Sequence, residues 1–164
     1  MGLAHAILVS LSEQSGSGYE LARRFDRSIG FFWSATHQQI YRTLRTMEDH
    51  GWVTVTPVRQ RGRPNKKVYT LSDAGRAELA RWIAQAPTGS GPDAQVRDLA
   101  VKIRGADFGD LDAVRGHVDA LRAERVARLD LYREMAKRQL PSVFVTTSQK
   151  NGSSSRLLSE GLRS

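Results

Sequence analysis

Cysteine is absent from this 164-residue sequence, and so is any long hydrophobic run. Without cysteine there is no disulfide, no thiolate zinc ligand and no cysteine nucleophile, a composition that fits the reducing cytoplasm. The longest apolar stretch is far shorter than the roughly 20 residues that span a bilayer, and no basic stretch leads an apolar one at the N-terminus. The sequence therefore predicts a cytoplasmic protein with neither a signal peptide nor a membrane anchor.

Acidic residues are absent from one internal stretch, between Asp49 and Asp73. The net charge is +8, and residues 1–86 hold twelve Lys and Arg against seven Asp and Glu. Five of the twelve cations lie in RQRGRPNKKVY, residues 59–69, and without them this half is neutral. Such a local charge can act on a nearby polyanion. The thirteen cations and ten acids of residues 87–164 are interspersed and indicate an ordinary solvated surface.

Three helices are predicted before the basic segment. Apolar residues at helical spacing predict the first over residues 2–14. Ser17 and Glu20, three residues apart, predict a capping box at the start of the second. Its inward side chains are predicted to be Tyr19, Leu21, Ala22 and Phe25. The third begins at Ser34 or Thr36 as its cap, and its inward side chains are predicted to be Ile40, Leu44 and Met47.

Two strands are predicted on either side of the basic segment. Residues 52–56 alternate as a strand that Pro57 is expected to end, and residues 68–71 form the second strand. Because strands flank it on both sides, the basic segment is predicted to be the tip of a hairpin and not a disordered tail. Gly51 suits the left-handed position that closes the third helix, and Ser72 caps a helix that follows the hairpin.

The C-terminal half predicts a long helix from Asp110 to about Gln139. Its apolar stripe is too long for one small neighbour to cover, so we expect a partner helix from a second copy of the chain. The predicted dimerisation residues are Leu111, Val114, Val118, Leu121, Leu129, Tyr132 and Met135. After Pro141 the helical period is lost.

The predicted fold is mainly α-helical, with a winged helix-turn-helix followed by a helical dimerisation region. The predicted domains are a winged helix-turn-helix over 1–86, a linker over 87–92, a helical dimerisation region over 93–140 and a flexible or divergent tail over 141–164.

Three helices and then a hairpin is the order of a winged helix-turn-helix, whose third helix enters the major groove while the hairpin, or wing, reaches the flanking backbone. The outer face of the third helix carries amides and guanidinium groups, which pair with adenine and guanine edges. Cations on the wing neutralise phosphates. The predicted DNA-binding residues are Ser34, Thr36, His37, Gln38, Gln39, Tyr41, Arg42, Arg45, Arg59, Arg61, Arg63, Lys66 and Lys67. The helix is expected to supply sequence preference and the wing affinity.

Other functions fit the residues less well. The four histidines have no metal-ligand spacing and no nucleophile or phosphate-loop motif occurs, so we expect no catalytic residues, no metal and no cofactor. A winged helix that binds proteins without reading DNA is the alternative function. The cations of the wing tip could also be only a solvated surface. Trp33, Trp52 and Trp82 are more often core residues than ligand platforms, but they are where we would place an effector pocket.

The stretches FFWSATHQQIYRTLRTMEDHGWVTV and GRPNKKVYTLSDAGRAEL resemble the PadR family of bacterial transcriptional regulators. The resemblance covers residues 1–86, and residues 93–139 are similar to the helical C-terminal region of the longer PadR subgroup. It implies a nucleoid-associated homodimer on a palindromic operator in double-stranded DNA, usually a repressor, which a small aromatic effector releases in some members. That subgroup usually continues with a further amphipathic helix, which the sequence after Pro141 does not show.

Overall fold

A computed structural model describes residues 2–28, 35–59 and 65–139. In chain order its elements are α1 (Gly2–Glu13), β1 (Gly16–Ser17), α2 (Gly18–Ser28), α3 (His37–Asp49), β2 (Val53–Val58), β3 (Lys66–Leu71), α4 (Asp73–Ala84), α5 (Pro92–Arg104), a 3₁₀ turn (Ala106–Phe108) and α6 (Leu111–Gln139). The described residues divide into two units, one that ends at Asp119 and one that begins at Ala120. Across the described ranges, none of the helices combines the length and the apolar character that crossing a bilayer requires.

Helix α1 lies in the middle of the hydrophobic core. Every residue from His5 to Leu11 is buried, so the helix packs on all sides and not only on the single face that its spacing predicted. A helix with apolar residues all round is one that its neighbours enclose. Those neighbours contribute Leu21, Phe25, Ile40, Leu44, Met47, Leu79 and Ile83 to the core.

The sheet has three antiparallel strands in the order β1-β3-β2, where the sequence predicted only two. Strand β1 is two residues long, with Gly16 opposite Tyr69 and Ser17 opposite Val68. A strand this short has no alternating pattern by which to find it. The prediction that Pro57 ends β2 is also wrong, since β2 runs to Val58. Strand β2 lies at an edge of the sheet, where a residue without an N–H group is tolerated.

The predicted ends of α3 and the start of α4 are confirmed. Gly51 has a φ of 69°, the left-handed conformation that closes α3. The Ser72 side chain accepts a hydrogen bond from the Gly75 N–H at 3.0 Å, and its hydroxyl donates to the Gly51 carbonyl at 2.6 Å. Ser72 therefore caps α4 and ties it to the turn after α3.

The hydrophobic core continues beyond the predicted linker. Val101 of α5 and Ala106 of the 3₁₀ turn belong to the same buried cluster as α1 and α4. The domain boundary at residues 87–92 stays a prediction. Val114, predicted to contact a second copy, is only 3% exposed, because the first turns of α6 pack into the core of their own chain. That assignment of Val114 was wrong, and the remaining α6 residues carry the dimer prediction.

Candidate nucleic-acid interface

A capping box fixes the N-terminus of α3. The Thr36 N–H donates to Gln39 Oε1 at 2.8 Å, and the Gln39 N–H donates to Thr36 Oγ1 at 3.2 Å. Thr36 is therefore the cap, one of the two candidates predicted; the other, Ser34, lies outside the described residues. The Gln39 amide oxygen is thus occupied within the protein, which leaves Gln38 as the glutamine of this turn whose side chain has no part in the cap.

The two faces of α3 separate as predicted. Ile40, Leu44 and Met47 are fully buried. The polar side chains on the other side are exposed, and these are His37, Gln38, Gln39, Tyr41, Arg42 and Arg45. His37 Nε2 lies 3.8 Å from Asp26 Oδ2, with both side chains more than half exposed.

Tyr41 is one residue past the apolar stripe, and its side chain is 46% exposed. Its ring lies against Gly18, where a Cβ atom would collide with the ring carbons. The glycine at the start of α2 therefore gives the ring room.

The described part of the wing ends at Arg59 on one strand and begins at Asn65 on the other. Arg59 and Lys67 are exposed, whereas Lys66 is half-buried, because neighbouring residues of a strand face opposite sides of the sheet. Arg61 and Arg63 lie outside the described residues, and their roles stay predictions.

A cleft of about 450 Å³ joins α3 to the base of the wing. It is lined by Ser17, Gly18, Tyr19, Tyr41, Arg45, Glu48, Asn65, Lys66, Lys67 and Tyr69. Burial raises the pKa of Tyr69, which is one of these lining residues. Tyr41, Arg45 and Glu48 of α3 thus border one concave surface with Lys66 and Lys67 of the wing, whereas His37, Gln38, Gln39 and Arg42 are not among its lining residues.

The sequence suggested that Lys66 is a cation free to bind DNA, but in the structure it is held in an ion pair. Its Nζ lies 3.1 Å from Glu20 Oε1. The other oxygen of Glu20, Oε2, accepts hydrogen bonds from the Ser17 N–H at 2.7 Å and the Ser17 hydroxyl at 2.8 Å. The hydrogen bond from the Ser17 backbone, with further ones from the Ser17 hydroxyl and Lys66, lowers the pKa of Glu20 to about 2. The capping box predicted for Ser17 and Glu20 is confirmed, and it also reaches the wing.

Two family models match successive parts of the chain. The model of the "Transcriptional regulator PadR-like family" matches residues 7–81. The model named "Virulence activator alpha C-term" matches residues 97–160, and so extends beyond Pro141, where the helical pattern of the sequence is lost.

A similar protein of Mycobacterium tuberculosis is named "Probable transcriptional regulator Rv1176c". It is 64% identical over 145 residues, which cover 84% of this chain and 77% of the relative. The chain belongs to the PadR-like family of transcriptional regulators. It is a DNA-binding regulator and not an enzyme, as the sequence predicted.

Two further matches are more distant. The "Negative transcriptional regulator PadR" of Bacillus subtilis is 41% identical over 81 residues, 49% of this chain and 44% of the relative. The crystal structure of smu.1604c from Streptococcus mutans aligns with a TM-score of 0.52 at 26% identity, and covers 91% of this chain and 89% of that one. The prediction of a mainly α-helical fold with a small wing is thus confirmed.

A second concave surface in this PadR-like chain lies on the other side of Lys66. This cleft of about 460 Å³ is lined by Gln14, Ser15, Gly16, Tyr19, Glu20, Arg23, Arg24, Arg27, Lys66 and Val68. Tyr19 was predicted to be inward but is 58% exposed, so that prediction is wrong. A signal was available, because Tyr19, Arg23 and Arg27 recur every four residues and share one face of a helix.

The tryptophans proposed as an effector pocket do not line either of these clefts. Trp82 is 5% exposed, and the His5 ring stacks on it with 4.6 Å between centroids. Trp52 is half-buried and tilted against the same histidine at 6.2 Å. His5 therefore packs against both indoles. Trp33 lies outside the described residues.

Proposed function

We propose that this PadR-like regulator binds a palindromic operator as a dimer, with α3 in the major groove and the wing on the adjacent backbone. The observation that carries the proposal is the cleft in which Tyr41 and Arg45 of α3 face Asn65 and Lys67 of the wing. A duplex has its base edges and its phosphates side by side, so a protein that reads both needs polar and cationic groups on one continuous surface. The protein-interaction alternative requires no such pairing.

The two sides of this surface have different tasks in the proposal. Gln38, Arg42 and Arg45 are exposed on α3. The glutamine amide can pair with an adenine edge, and the arginine guanidinium groups can donate hydrogen bonds to a guanine edge. Arg59 and Lys67 of the wing are exposed cations suited to phosphates, and Arg61 and Arg63 are expected to add to them. Thr36 and Gln39 hold the start of α3 in place through their mutual hydrogen bonds.

Dimerisation through α6 is supported by the side chains that this helix exposes. The helix has 29 residues and a length of about 43 Å at 1.5 Å per residue. Its large exposed apolar side chains are Leu111, Val118, Val126, Leu129, Leu131, Tyr132 and Met135. In the dimer two recognition helices would lie about 34 Å apart, one turn of DNA.

Repression is supported by the name of the Bacillus subtilis relative, a negative regulator. A dimer on a promoter acts in the cytoplasm, at the nucleoid, by blocking polymerase. Release by a small aromatic effector is carried by the resemblance to the family alone. His5, which stacks on Trp82 and is tilted against Trp52, gives no added support to a pocket there.

The test starts by selecting a preferred duplex from a random library with the purified full chain. Binding is then measured by fluorescence anisotropy at several salt concentrations, on that duplex and on a shuffled one. Gln38→Ala should weaken binding to the selected duplex by about 1–3 kcal/mol and to the shuffled duplex much less. Lys67→Gln should weaken both and reduce the log–log salt slope by about 0.9 per chain.

Arg97→Gln is the matched control for Lys67→Gln, because Arg97 is an exposed cation of α5 and its loss changes the net charge equally. It should leave both affinities near the wild-type values. Binding that ignores salt, or a Lys67 variant that changes base preference at an unaltered slope, would contradict this division of tasks.

A further inference from the structure

An acidic residue stands inside the basic surface that the wing and α2 form. Glu20 lines the second cleft together with Arg23, Arg27 and Lys66, and it is the acid of that lining. Phosphates repel carboxylates, so an acid at this place reduces the attraction that the surrounding cations exert on DNA. Its position is set by specific contacts with Ser17 and Lys66.

The Glu20 carboxylate is held at both ends. Oε2 accepts two hydrogen bonds from Ser17, and Ser17 itself is paired with Val68 of the wing strand β3. Oε1 is thereby directed toward Lys66, at 3.1 Å. Because the capping box restricts the carboxylate, Glu20 loses little further freedom when it holds Lys66, unlike two long side chains that meet on an open surface.

The ion pair is nevertheless accessible to a competitor. The side chain of Lys66 is 34% exposed and that of Glu20 is 48% exposed. Lys66 also lines the first cleft, next to Lys67, Tyr41 and Arg45, which are the groups proposed to meet DNA. The lysine therefore stands between two clefts and can turn from its carboxylate toward a phosphate without a change in the fold.

We propose that Glu20 limits the affinity of the DNA interface by holding Lys66 in an ion pair, so that backbone phosphates must compete with a carboxylate of the same chain for this cation. The inference rests on the proposed DNA-binding surface and assigns a role to a residue that the DNA-contacting set does not include. Removing the charge of Glu20 frees one cation per chain for the duplex.

The decisive variant is Glu20→Gln. Glutamine is accepted at the third position of a capping box, so the hydrogen bonds with Ser17 are retained while the charge that holds Lys66 is lost. Binding should become several-fold tighter at low salt on both the selected and the shuffled duplex. The log–log salt slope should become steeper by about 0.9 per chain, because one more phosphate is neutralised. Circular dichroism and thermal unfolding check that the fold is retained.

Glu13→Gln is the matched control. Glu13 forms a comparable pair with Arg104, at 2.9 Å and with side chains 37% and 40% exposed, and its loss changes the net charge by the same amount. This control should leave the salt slope at its wild-type value. Glu20→Gln in a Lys66→Gln background is the second control, and there the slope should not steepen because no lysine is released.

Each outcome decides between the two proposals. A steeper slope for Glu20→Gln that requires Lys66 supports the inference. Binding by Glu20→Gln no tighter than by Glu13→Gln, or a steeper slope that persists without Lys66, overturns it while wild-type DNA binding stands. Wild-type binding that does not depend on salt overturns the proposed function and the inference together.

Discussion

Lys102 is a buried cation that joins α5 to α4. Its side chain is fully buried, its Nζ donates to the Trp82 carbonyl and lies 3.8 Å from the centroid of the Trp82 ring, and Asp98 Oδ2 is 3.9 Å away. Burial lowers the pKa of Lys102 from 10.5 to about 8, although the charge of Asp98 acts to raise it. The unfolded chain keeps this proton to higher pH, so between pH 8 and 10.5 it binds more protons than the folded chain.

This difference predicts that the free energy of unfolding rises with pH above 8, by at most about 1.4 kcal/mol per pH unit. Below pH 8 both states hold the proton and the contribution is constant. Lys102→Met fills a similar volume without a titrating group and should lack the rise. Urea unfolding of both proteins at pH 7.5, 8.5 and 9.5 measures it. If the free energy of unfolding changed with pH in the same way in both proteins, Lys102 would not be the group responsible for the rise.

Gly75 is a further residue with a clear structural requirement. It is buried in the first turn of α4, and a Cβ atom there would collide with the Trp52 carbonyl oxygen and lie 2.8 Å from Leu71 Cδ1. Alanine favours helices by up to about 1 kcal/mol over glycine, but an overpacked site typically costs about 1–3 kcal/mol. The collision involves a backbone atom, which cannot rotate away, so the cost of overpacking should exceed the gain in helix propensity.

Gly75→Ala is therefore expected to lower the free energy of unfolding by about 1–3 kcal/mol in urea titrations. Gly116→Ala is its control, because Gly116 lies in α6 and a Cβ atom there meets nothing within 4 Å. That variant should be as stable as the wild type or more stable by up to about 1 kcal/mol. If the two substitutions changed the free energy of unfolding equally, helix propensity alone would account for both effects.

Among the elements, α3 combines a structural cap with a surface proposed for DNA, and the two can be separated at Gln39. Glutamate also serves at the third position of a capping box, so Gln39→Glu should retain the stability of α3. The new carboxylate should repel the duplex and weaken binding in anisotropy titrations. Gln38→Glu adds the same charge without touching the cap. Thr36→Ala should instead cost about 1 kcal/mol of stability.

If Gln39→Glu lost stability comparable to Thr36→Ala while Gln38→Glu did not, the glutamate would not replace the amide in the cap. The loss of DNA binding could then not be assigned to charge.

The elements also show which features a sequence reveals. Local signals located α3, since its apolar stripe, its cap and Gly51 all fall within 16 residues. The pair of Glu20 with Lys66 joins residues 46 positions apart, and no local pattern encodes it. Strand β1 needed the same long-range information, because two residues acquire an extended conformation only from the strand they pair with. Tyr19 was misassigned because an aromatic residue in a helix was taken to be buried.

At the scale of the whole molecule, the state of assembly determines how the DNA surface is used. A single chain has one α3 and one wing, whereas a palindrome offers two half-sites, so a dimer gains a second set of contacts without a second loss of translational freedom. Within residues 120–139, Leu129, Tyr132 and Met135 are exposed at helical spacing. Exposed apolar groups in such a row are those that a second copy would cover.

Leu129→Asp is expected to shift the protein from twice the chain mass of 18.3 kDa to that mass itself, measured by light scattering after gel filtration. A charge buried in an apolar helix interface has neither water nor a partner, so it lowers the free energy of dimerisation by more than a substitution on an exposed surface does. Ala127→Asp is the control, since it adds the same charge about 200° away around the helix at 100° per residue. It should leave the mass unchanged.

The same two variants connect assembly to DNA binding. If α6 holds the dimer, Leu129→Asp should weaken binding to the selected palindrome strongly and bring its log–log salt slope to about half, because one wing in place of two then releases counterions. Binding to a single half-site should change little, since α3 and the wing of each chain are untouched. A monomeric variant with wild-type affinity for the full palindrome would show that the chains bind DNA independently, and that α6 serves another purpose.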